Sequence, residues 1–252
     1  MRPKITALAI TLNEEAYVKR YVESLAFADE ILFIDSFSTD ATVSTAKELG
    51  VKVIQREFDD FTNQKNFAIK QAQNDWIIFF DLDEIITTEL EEEIIKTVSN
   101  PIEHAAYKVK RNFIFQGKDI KYGGWQSDKV IRLFNKKNCS YIGDLVPKSI
   151  VVSTGSVGQL KKIVNHHSYK SFDNYNQKLN RLSQLEAKSL YTKNQKPNFY
   201  HLFIRPLFHF HWQFFYRLGI LDGKEGFILA YIHSFAVFKR YLQLWMMYRK
   251  LE

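Results

Sequence analysis

The sequence predicts an α/β protein with an open, mostly parallel sheet flanked by helices. Between residues 1 and 86, short apolar runs alternate with amphipathic segments in the order strand, helix, strand, helix, strand, helix, strand. The first apolar run, ITALAITL at 5–12, is continuous rather than alternating, which is typical of a parallel strand buried on both faces. Parallel strands joined through helices form right-handed crossovers, so this order indicates one open sheet.

Each predicted strand in this region is followed by a segment with helical features, except the last. The first helix carries an apolar stripe on one face. The second begins near Ser38, Thr39 or Asp40, which are residue types that cap helices, and it ends at Gly50. We predict strands at 5–12, 30–36, 51–55 and 76–84, and helices at 13–26, 38–50 and 61–73.

The pattern changes after residue 104. Segments between 104 and 160 alternate polar and apolar residues between glycines, which predicts antiparallel strands and loops. Leucine and aromatic residues, including Phe172 and Leu182, then recur at helical spacing, and the chain from 199 onward is aromatic, basic and helical in pattern. We therefore expect a sheet domain at 1–165 and a helical C-terminal extension at 166–252.

Composition narrows the class of protein. The 252 residues, 46% of them hydrophobic, suffice for one large domain or a domain with an extension. A single cysteine, Cys139, excludes an internal disulfide and suits a reducing compartment. No uncharged apolar run reaches about 18 residues and the first residues lack a signal-peptide pattern, so neither a spanning helix nor a leader is expected. The net charge of +7 indicates nucleic acid, an anionic membrane or an anionic substrate as partner.

Polar side chains follow three of the four predicted parallel strands where these strands end. The first strand is followed by Thr11–Glu14, the second by Asp35, and the fourth by Asp81, Asp83 and Glu84. The carboxyl ends of parallel strands meet along one edge of a sheet, where open α/β sheets bind their ligands. We therefore expect these groups to converge on one ligand site.

The three carboxylates at 81–84 repel one another and need compensation. The D-x-D spacing of Asp81 and Asp83 suits a shared divalent cation, because Mg²⁺ and Mn²⁺ bind carboxylate and phosphate oxygens together. Acids also gather at helix N-termini. The preceding strand order favours the cation here, whereas Glu89 and Glu91–Glu93 are assigned to a solvated helix face.

Other polar residues near the strand ends have two interpretations each. Asp35 suits either a ribose or base contact or a turn, and Asn13 suits either a nucleotide or a helix cap. Lys65 suits either a phosphate or a solvated helix face. The glycine-rich fingerprints of dinucleotide-binding and P-loop proteins are absent from the sequence. The pair His166–His167 has no spaced Cys or His partners, so a zinc site is not expected.

Several of these segments resemble the inverting family-2 glycosyltransferases of GT-A fold. The motifs that carry the resemblance are ITALAITLNEE, DEILFIDSFSTDAT, FTNQKNFAIKQA and WIIFFDLDE. GGWQSDKVIRLF and the segments at 166–191 and 219–245 extend it to the branch that adds glucose or related sugars to the lipopolysaccharide inner core and other envelope glycans. The similarity covers nearly the whole chain.

The resemblance implies metal-dependent transfer of a hexose from a UDP-sugar to an envelope glycan or glycolipid. A Mg²⁺ or Mn²⁺ ion would stabilise the charge that develops on the leaving diphosphate. The implied donor-site residues are Thr11, Leu12, Asn13, Glu14 and Asp35 at the uridine, Gln64 and Lys65 near the nucleotide, Asp81 at the ribose or sugar, and Asp83 at the metal.

The sequence departs from the family at the expected general base. Relatives usually read V-H-E where this chain has Val146–Lys148, and the glutamate is a plausible base. A lysine with a pKa of about 10.4 is protonated at neutral pH and cannot take a proton. Asp128 and Asp144 are the acids available in this region, and we prefer Asp128 because it follows the glycine-rich YGGW loop and precedes a strand. The alternative is a nucleotide-sugar-binding protein with weak or lost turnover.

Two further classes are weaker interpretations. A nucleotidyltransferase would also use acidic residues and a metal, but the N-terminal glycine-rich activating loop of such enzymes is absent from the sequence. Residues 161–196 contain eight lysines and arginines against two acids, which would suit nucleic acid. A solvated helix face explains most of these charges, so no nucleic-acid partner is expected.

The C-terminal segment indicates a membrane surface. Residues 199–252 hold 16 of the 38 aromatic residues, with seven lysines and arginines against three acids. Aromatic and basic residues together suit an interfacial helix on anionic lipid. They would equally suit a helical subdomain packed against the sheet domain. We expect a cytoplasmic protein attached peripherally to the inner face of the cytoplasmic membrane.

Overall fold

The chain folds into two units. The computed structural model describes residues 2–100, 103–143, 149–169 and 171–251. The first unit comprises Met1–Arg111 and Lys129–His166, and the second comprises Asn112–Asp128 and His167–Glu252.

Four parallel strands form one half of the main sheet and confirm the four predicted ones. They are β1 (Ile5–Thr11), β2 (Glu30–Asp35), β3 (Lys52–Gln55) and β4 (Trp76–Phe79), in the order β3-β2-β1-β4. Successive strands are added on one side of β1 and then on the other. The point between β1 and β4 is therefore a topological switch point, where sheets of this kind bind ligands.

The connecting helices are those predicted, with shorter ends: α1 (Glu15–Glu23), α2 (Thr42–Glu48) and α3 (Phe61–Gln71). None of the predicted capping residues is the N-cap of α2, which is Ala41, but the Asp40 carboxylate beside it accepts from the backbone N–H of Thr42 at 3.0 Å. Asp60 does cap α3, since its carboxylate accepts from the backbone N–H of Asn63 at 2.8 Å.

Hydrophobic side chains cover both faces of the parallel strands. Ile5 of β1 and Ile78 of β4 belong to one buried cluster, and Leu8 of β1 and Ile77 of β4 belong to the other. Because neighbouring residues point to opposite faces, a strand buried on both sides must be apolar at every position. That requirement explains the continuous apolar runs in the sequence.

Antiparallel strands extend the same sheet. The sequence predicts such strands between residues 104 and 160, and it does not show that they join the parallel ones. The path continues β4-β8-β6-β11-β5, while β9 and β10 form a two-stranded ribbon. The helix α4 (Thr88–Ser99) follows β5. These strands are β5 (Glu84–Ile86), β6 (Ala106–Phe115), β7 (Lys118–Ile120), β8 (Lys129–Asn135), β9 (Cys139–Ile142), β10 (Ser149–Val152) and β11 (Val157–His166).

The second unit is mainly helical, as predicted. Its helices are α5 (Phe172–Thr192), α6 (Arg205–His211) and α7 (Lys224–Arg249), and one π-helical turn adjoins each end of α6, at Tyr200–Ile204 and Trp212–Tyr216. The end of β6 pairs here with β7. None of the described helices is long and apolar enough to cross a membrane.

Two small apolar clusters hold the second unit together. Tyr175 of α5 packs with Leu229 of α7 and with Phe113 and Phe115 of β6. Farther along, Ala187 of α5 packs with Val237, Tyr241 and Leu244 of α7. The apolar stripe expected on α5 is wrong at Phe172 and Leu182, which are 55% and 38% exposed, because α7 covers the face that carries Tyr175, Ser183 and Ala187 instead.

Candidate active site

The ends of β1 and β2 meet at a buried carboxylate. Asp35 is fully buried, and Thr11 lies opposite it in the strand register. The Thr11 hydroxyl donates to Asp35 at 2.9 Å, the backbone N–H of Ser38 donates at 2.9 Å, and the Gln55 side chain donates at 3.3 Å. Asp35 is expected either at a ribose or base or in a turn, and these bonds show that it holds the turn after β2. It also ties the ends of β1 and β2 together.

The loop after β1 is joined to the loop after β2 by hydrogen bonds. Asn13 adopts a left-handed backbone conformation with φ of 56°, which asparagine tolerates better than most residues. Its N–H donates to the Ser38 hydroxyl at 2.9 Å, and its side-chain oxygen accepts from the N–H of Thr39 at 2.8 Å. It does not cap α1, whose N-cap is Glu14. Leu12 is exposed beside it, so the loop presents Leu12 and Glu14 on a fixed backbone.

Gln64 on α3 is fully buried and lies at the same edge of the sheet. Its amide nitrogen donates to the Ser36 hydroxyl at 3.2 Å, and its oxygen accepts from Arg56. Arg56 also binds Asp59 at 2.8 Å and holds the pKa of that carboxyl well below its usual range. Gln64 is thus tied to the end of β2 through two neighbours.

Lys65 is 9% exposed, so the solvated interpretation of this lysine is wrong. Its ammonium lies 3.9 Å from a carboxylate oxygen of Asp81. It also lies 5.0 Å from the ring centroid of Tyr141 and 5.3 Å from that of Phe79, within the range of cation–π attraction. The aromatic rings and the carboxylate together keep a positive charge at the end of β4.

Arginines compensate two of the three carboxylates at 81–84. Arg132 of β8 is 4% exposed, and its guanidinium lies 2.7 Å from both Asp81 and Glu84. Arg111 of β6 adds a second contact to Glu84 at 3.2 Å. Burial alone would lower the pKa of Arg132, but the carboxylates of Asp81 and Glu84 hold it well above its usual value. Repulsion in this cluster is therefore relieved by protein cations, which the sequence analysis did not identify.

The third carboxylate, Asp83, lies against a histidine. The predicted fourth strand ends at Phe79, and Asp83 comes just before β5, which pairs antiparallel with β11. His166 is opposite Glu84 in that register, so its Nε2 lies 3.5 Å from a carboxylate oxygen of Asp83. Carboxylate and imidazole are both ligands that Mn²⁺ accepts. The sequence shows the His166–His167 pair but not its place beside Asp83, because only the pairing of two distant strands brings His166 here.

Tyr17 of α1 borders this pair. Burial and the neighbouring Asp83 carboxylate raise the pKa of Tyr17 to about 12. The phenol is therefore neutral at physiological pH. Within the ranges that the structure describes, no group of three or more His, Cys, Asp or Glu side chains is arranged to hold a metal, so Asp83 and His166 would need further ligands from a bound molecule.

The two predicted bases are Asp128 and Asp144. Asp128 belongs to the second unit, directly after the short 3₁₀ turn Trp125–Ser127. It is half-buried and lines a cavity of about 420 Å³ in that unit. Asp144 and the Val146–Lys148 segment lie outside the described residues, so the structure says nothing of them.

Comparisons with known proteins identify the family of the chain. The model of glycosyl transferase family 2 matches residues 6–165, which run from the second residue of β1 to the last but one of β11. An uncharacterized glycosyltransferase of Rickettsia typhi is 33% identical over 96% of this chain and 86% of that protein. The lipopolysaccharide core biosynthesis glycosyltransferase LpsC of Rhizobium meliloti is 26% identical over 96% of this chain and 95% of that protein.

A solved structure shares the fold. The mannosyltransferase PcManGT of Pyrobaculum calidifontis, in complex with GDP-Man and Mn²⁺, matches with a TM-score of 0.53 at 13% identity over 98% of this chain and 87% of that chain. The expected GT-A arrangement is therefore confirmed. With a family match over more than half its length, the chain belongs to glycosyl transferase family 2, and it is a glycosyltransferase.

Proposed function

We propose that the protein transfers a hexose from a UDP-sugar, with inversion, to an envelope glycan or glycolipid of the lipopolysaccharide-core type. The observation that carries this proposal is the cluster at the ends of β1, β2 and β4, where Asp83 lies 3.5 Å from His166. The match to the Rhizobium meliloti enzyme supports the acceptor class. The remaining steps follow from the chemistry of the individual side chains.

The donor nucleotide is assigned to the edge formed by β1 and β2. Thr11 and Asp35 hold each other, and Asn13 joins the two following loops. These bonds fix the backbone of Thr11–Glu14 before any ligand arrives, which lowers the entropy lost on binding. Gln64 supports the same edge from α3.

Asp83 and His166 fit a divalent cation. One carboxylate and one imidazole give a partial ligand set, and phosphate oxygens of the donor complete it, as is common for Mg²⁺ and Mn²⁺ in nucleotide sites. When bound, the ion would neutralise the charge on the leaving diphosphate. Mn²⁺ accepts imidazole more readily than Mg²⁺ does, so Mn²⁺ is the better fit to this pair.

Asp81 is assigned to the ribose or the sugar rather than to the metal. Its carboxylate binds Arg132 at 2.7 Å and lies 3.9 Å from Lys65, yet its side chain is 38% exposed. Two cations thus hold the Asp81 carboxylate in one orientation. An oriented, partly exposed carboxylate can accept hydrogen bonds from donor hydroxyl groups.

Asp128 is assigned as the general base that takes the acceptor's hydroxyl proton. Such assistance is typically worth about 10²–10⁴-fold in rate. Asp128→Asn should therefore reduce transfer at least tenfold while donor binding stays intact. If this variant transfers the sugar at the original rate, the general base is Asp144 or another group. Asp119→Asn in β7 is the control for loss of an acid from the same unit.

The test of the proposed function is release of nucleotide from a panel of donors. UDP-glucose, UDP-galactose, UDP-N-acetylglucosamine and GDP-mannose should be incubated with Mn²⁺, with and without a lipopolysaccharide-core glycolipid. We expect acceptor-dependent UDP release from at least one UDP-sugar. Release only from GDP-mannose would overturn the UDP assignment. Binding without turnover, restored by Lys148→Glu, would favour the alternative of a nucleotide-sugar-binding protein.

We also propose that the protein attaches peripherally to the inner face of the cytoplasmic membrane. Apolar side chains at four-residue spacing project from α6 and its two π turns. A π turn is wider than an α turn, and alternating the two keeps this spacing on one face. The exposed members, here named the aromatic ridge, are Phe199, Tyr200, Phe203, Ile204, Leu207, Phe208, Trp212, Phe215 and Tyr216.

Charge favours an anionic lipid surface for the aromatic ridge. The second unit has 15 lysines and arginines against seven acids, an excess of eight positive charges. Exposed aromatic surface of this extent marks an interaction site, and basic residues add affinity for anionic headgroups. Apolar burial with electrostatic attraction is the combination that holds interfacial helices on membranes.

Vesicle flotation tests this attachment. The full chain should float with phosphatidylglycerol vesicles at low salt and less with phosphatidylcholine vesicles. Phe208→Ser should weaken flotation, because this side chain is 59% exposed on the aromatic ridge. Phe172→Ser is the matched control, being 55% exposed on α5. Failure to float with anionic vesicles would refute the membrane proposal.

A further inference from the structure

The cavity in the second unit has the features of a ligand site of its own. Its volume of about 420 Å³ falls in the range of small-molecule sites, roughly 300–1,000 Å³. The side chains that matter for its chemistry are Trp125, Asp128, His209, Trp212, Gln213 and Arg217.

Arg217 is fixed at this cavity by the glycine loop that precedes Trp125. Its backbone carbonyl accepts from the N–H of Gly123 at 2.9 Å and from the side chain of Gln126 at 3.2 Å. Gly124 has a φ of +112°, and a Cβ at this position would lie 3.3 Å from the Arg217 guanidinium. A glycine is therefore needed for the loop to pass so close to the arginine.

The guanidinium of Arg217 has no carboxylate within ion-pair distance among the described residues, whereas Arg240 of the same unit pairs with Glu186. Arg217 is nevertheless half-buried at the cavity wall. A guanidinium presents its N–H groups as a planar fork that matches carboxylate and phosphate oxygens. The cavity therefore has a fixed place for an anion.

Two buried polar atoms at the cavity have no hydrogen-bond partner in the described part of the chain. They are the side-chain oxygen of Gln213, a residue only 6% exposed, and Nδ1 of His209. Buried polar atoms are nearly always hydrogen-bonded, so these two residues of the cavity wall keep unused hydrogen-bonding capacity. Burial and the nearby Arg240 and Arg205 lower the pKa of His209, which leaves a neutral ring that offers hydrogen bonds rather than charge.

The cavity also has aromatic walls. Trp125 stacks on the buried Phe113 at 5.0 Å, which holds its indole in place. Trp212, which stacks on Tyr216 at 4.0 Å, is partly exposed and adds a second indole to the wall. Rigid aromatic surface beside a few oriented polar groups suits a sugar ring, which has apolar C–H faces and hydroxyl groups at its edge.

We infer that this cavity binds a sugar that carries an anionic substituent, either a phosphate or a carboxylate. Arg217 is its counter-ion, and Gln213 and His209 are the hydrogen-bond partners of its hydroxyl groups. A neutral sugar would leave Arg217 without a counter-ion. That this sugar is the acceptor rests on the proposed function. If it is, Asp128, which lines the same cavity, is positioned to take the proton of the acceptor hydroxyl.

Ligand binding to the full chain tests the inference without any turnover. Saturation-transfer NMR titrations should compare glucose 6-phosphate, glucuronate, glucose and inorganic phosphate. We expect one or both anionic sugars to bind at least tenfold more tightly than glucose, and the better one identifies the phosphate or the carboxylate as the preferred anion. Equal binding of anionic and neutral sugars contradicts the inference, and so does inorganic phosphate that binds as well as glucose 6-phosphate.

Variants locate the site. Arg217→Met should abolish the preference for the anionic sugar, whereas Arg249→Met, which removes the same charge near the end of α7, should preserve it. Arg217→Lys keeps the charge without the fork and should reduce the preference several-fold, which gives a second readout if the methionine variant fails to fold. Equal effects of Arg217→Met and Arg249→Met overturn the assignment. Mn²⁺-dependent UDP binding, measured on the same samples, separates this outcome from failure of the proposed function.

Discussion

The two units of the chain divide its charge unequally. The first unit has 20 lysines and arginines against 21 acids, whereas the second has 15 against seven. The entire positive excess of the protein therefore resides in the second unit. In the first, buried charges are paired: Arg132 with Glu84, and Lys65 with Asp81.

The same contrast holds for polar atoms and apolar surface. The second unit leaves Arg217 without a carboxylate among the described residues, and it exposes the aromatic ridge. The first unit pairs its buried Arg132 and Lys65 with its own carboxylates, and these pairs hold the frame of the candidate site. The second unit leaves interactions to be completed by other molecules.

The largest effect is expected when a buried ion pair of the first unit is broken. Arg132→Met leaves Glu84 buried with only Arg111 for compensation, and it also removes a cation from Asp81. Breaking a buried ion pair typically costs about 3–5 kcal/mol of unfolding free energy. Urea unfolding should show a loss of this size.

The control for this variant is an ion pair at the surface. Lys137 and Asp75 lie 2.7 Å apart, with side chains 69% and 44% exposed. Lys137→Met should cost less than about 1 kcal/mol, because water screens exposed pairs. Similar losses in the two variants would mean that the buried cluster does not hold the first unit together.

An intermediate effect is expected from acid on the second unit. Burial and the neighbouring His209 lower the pKa of His233 from 6.5 to about 4. The unfolded chain therefore takes up a proton at a pH where the folded chain does not, so stability is full above pH 6.5 and falls as pH decreases toward 4. The loss from this residue between pH 7 and pH 5 should be about 2 kcal/mol.

A non-titrating variant isolates that contribution. His233→Gln should lose less stability than the original protein between pH 7 and pH 5, as measured by urea unfolding at both values. In the first unit, burial would raise the pKa of Asp40, but hydrogen bonds from Thr42 outweigh burial and lower that pKa from 3.8. The stability that Asp40 contributes is therefore lost only at more acidic pH. Equal losses in His233→Gln and the original protein would remove this difference between the units.

The smallest effect is expected at the glycine loop of the second unit. Gly124→Ala forces alanine into a φ of +112° and places its Cβ 3.3 Å from Arg217. Gly50→Ala in the first unit imposes a φ of +78° with no atom within 4 Å. Strain at positive φ costs about 1–2 kcal/mol in each. Thermal unfolding should show a larger loss for Gly124→Ala, and equal losses would mean that Arg217 moves aside freely.

Much of the first unit could be predicted from sequence, because its signals are local. Continuous apolar runs identified β1 to β4, and glycine and capping residues bounded the helices. The polar residues at strand ends were predictable as a group, since the direction of parallel strands alone brings Thr11 and Asp35 together.

The partners of those residues could not be predicted, because they come from distant parts of the chain. Arg132 and Arg111 lie on antiparallel strands whose register is set by tertiary pairing. His166 reaches Asp83 only because β11 pairs with β5, about eighty residues earlier. Lys65 looked like a surface lysine, and only the position of Tyr141 shows that it is buried.

Calorimetric titration with UDP tests the central claim, that Asp83 and His166 hold a cation for a nucleotide donor. Mn²⁺ should strengthen UDP binding in the original protein and in the control Asp75→Asn, and GDP titrated in parallel should bind more weakly. Asp83→Asn and His166→Gln should each lose the Mn²⁺ effect while metal-free UDP binding remains. Retention of the full Mn²⁺ effect in Asp83→Asn would contradict the account.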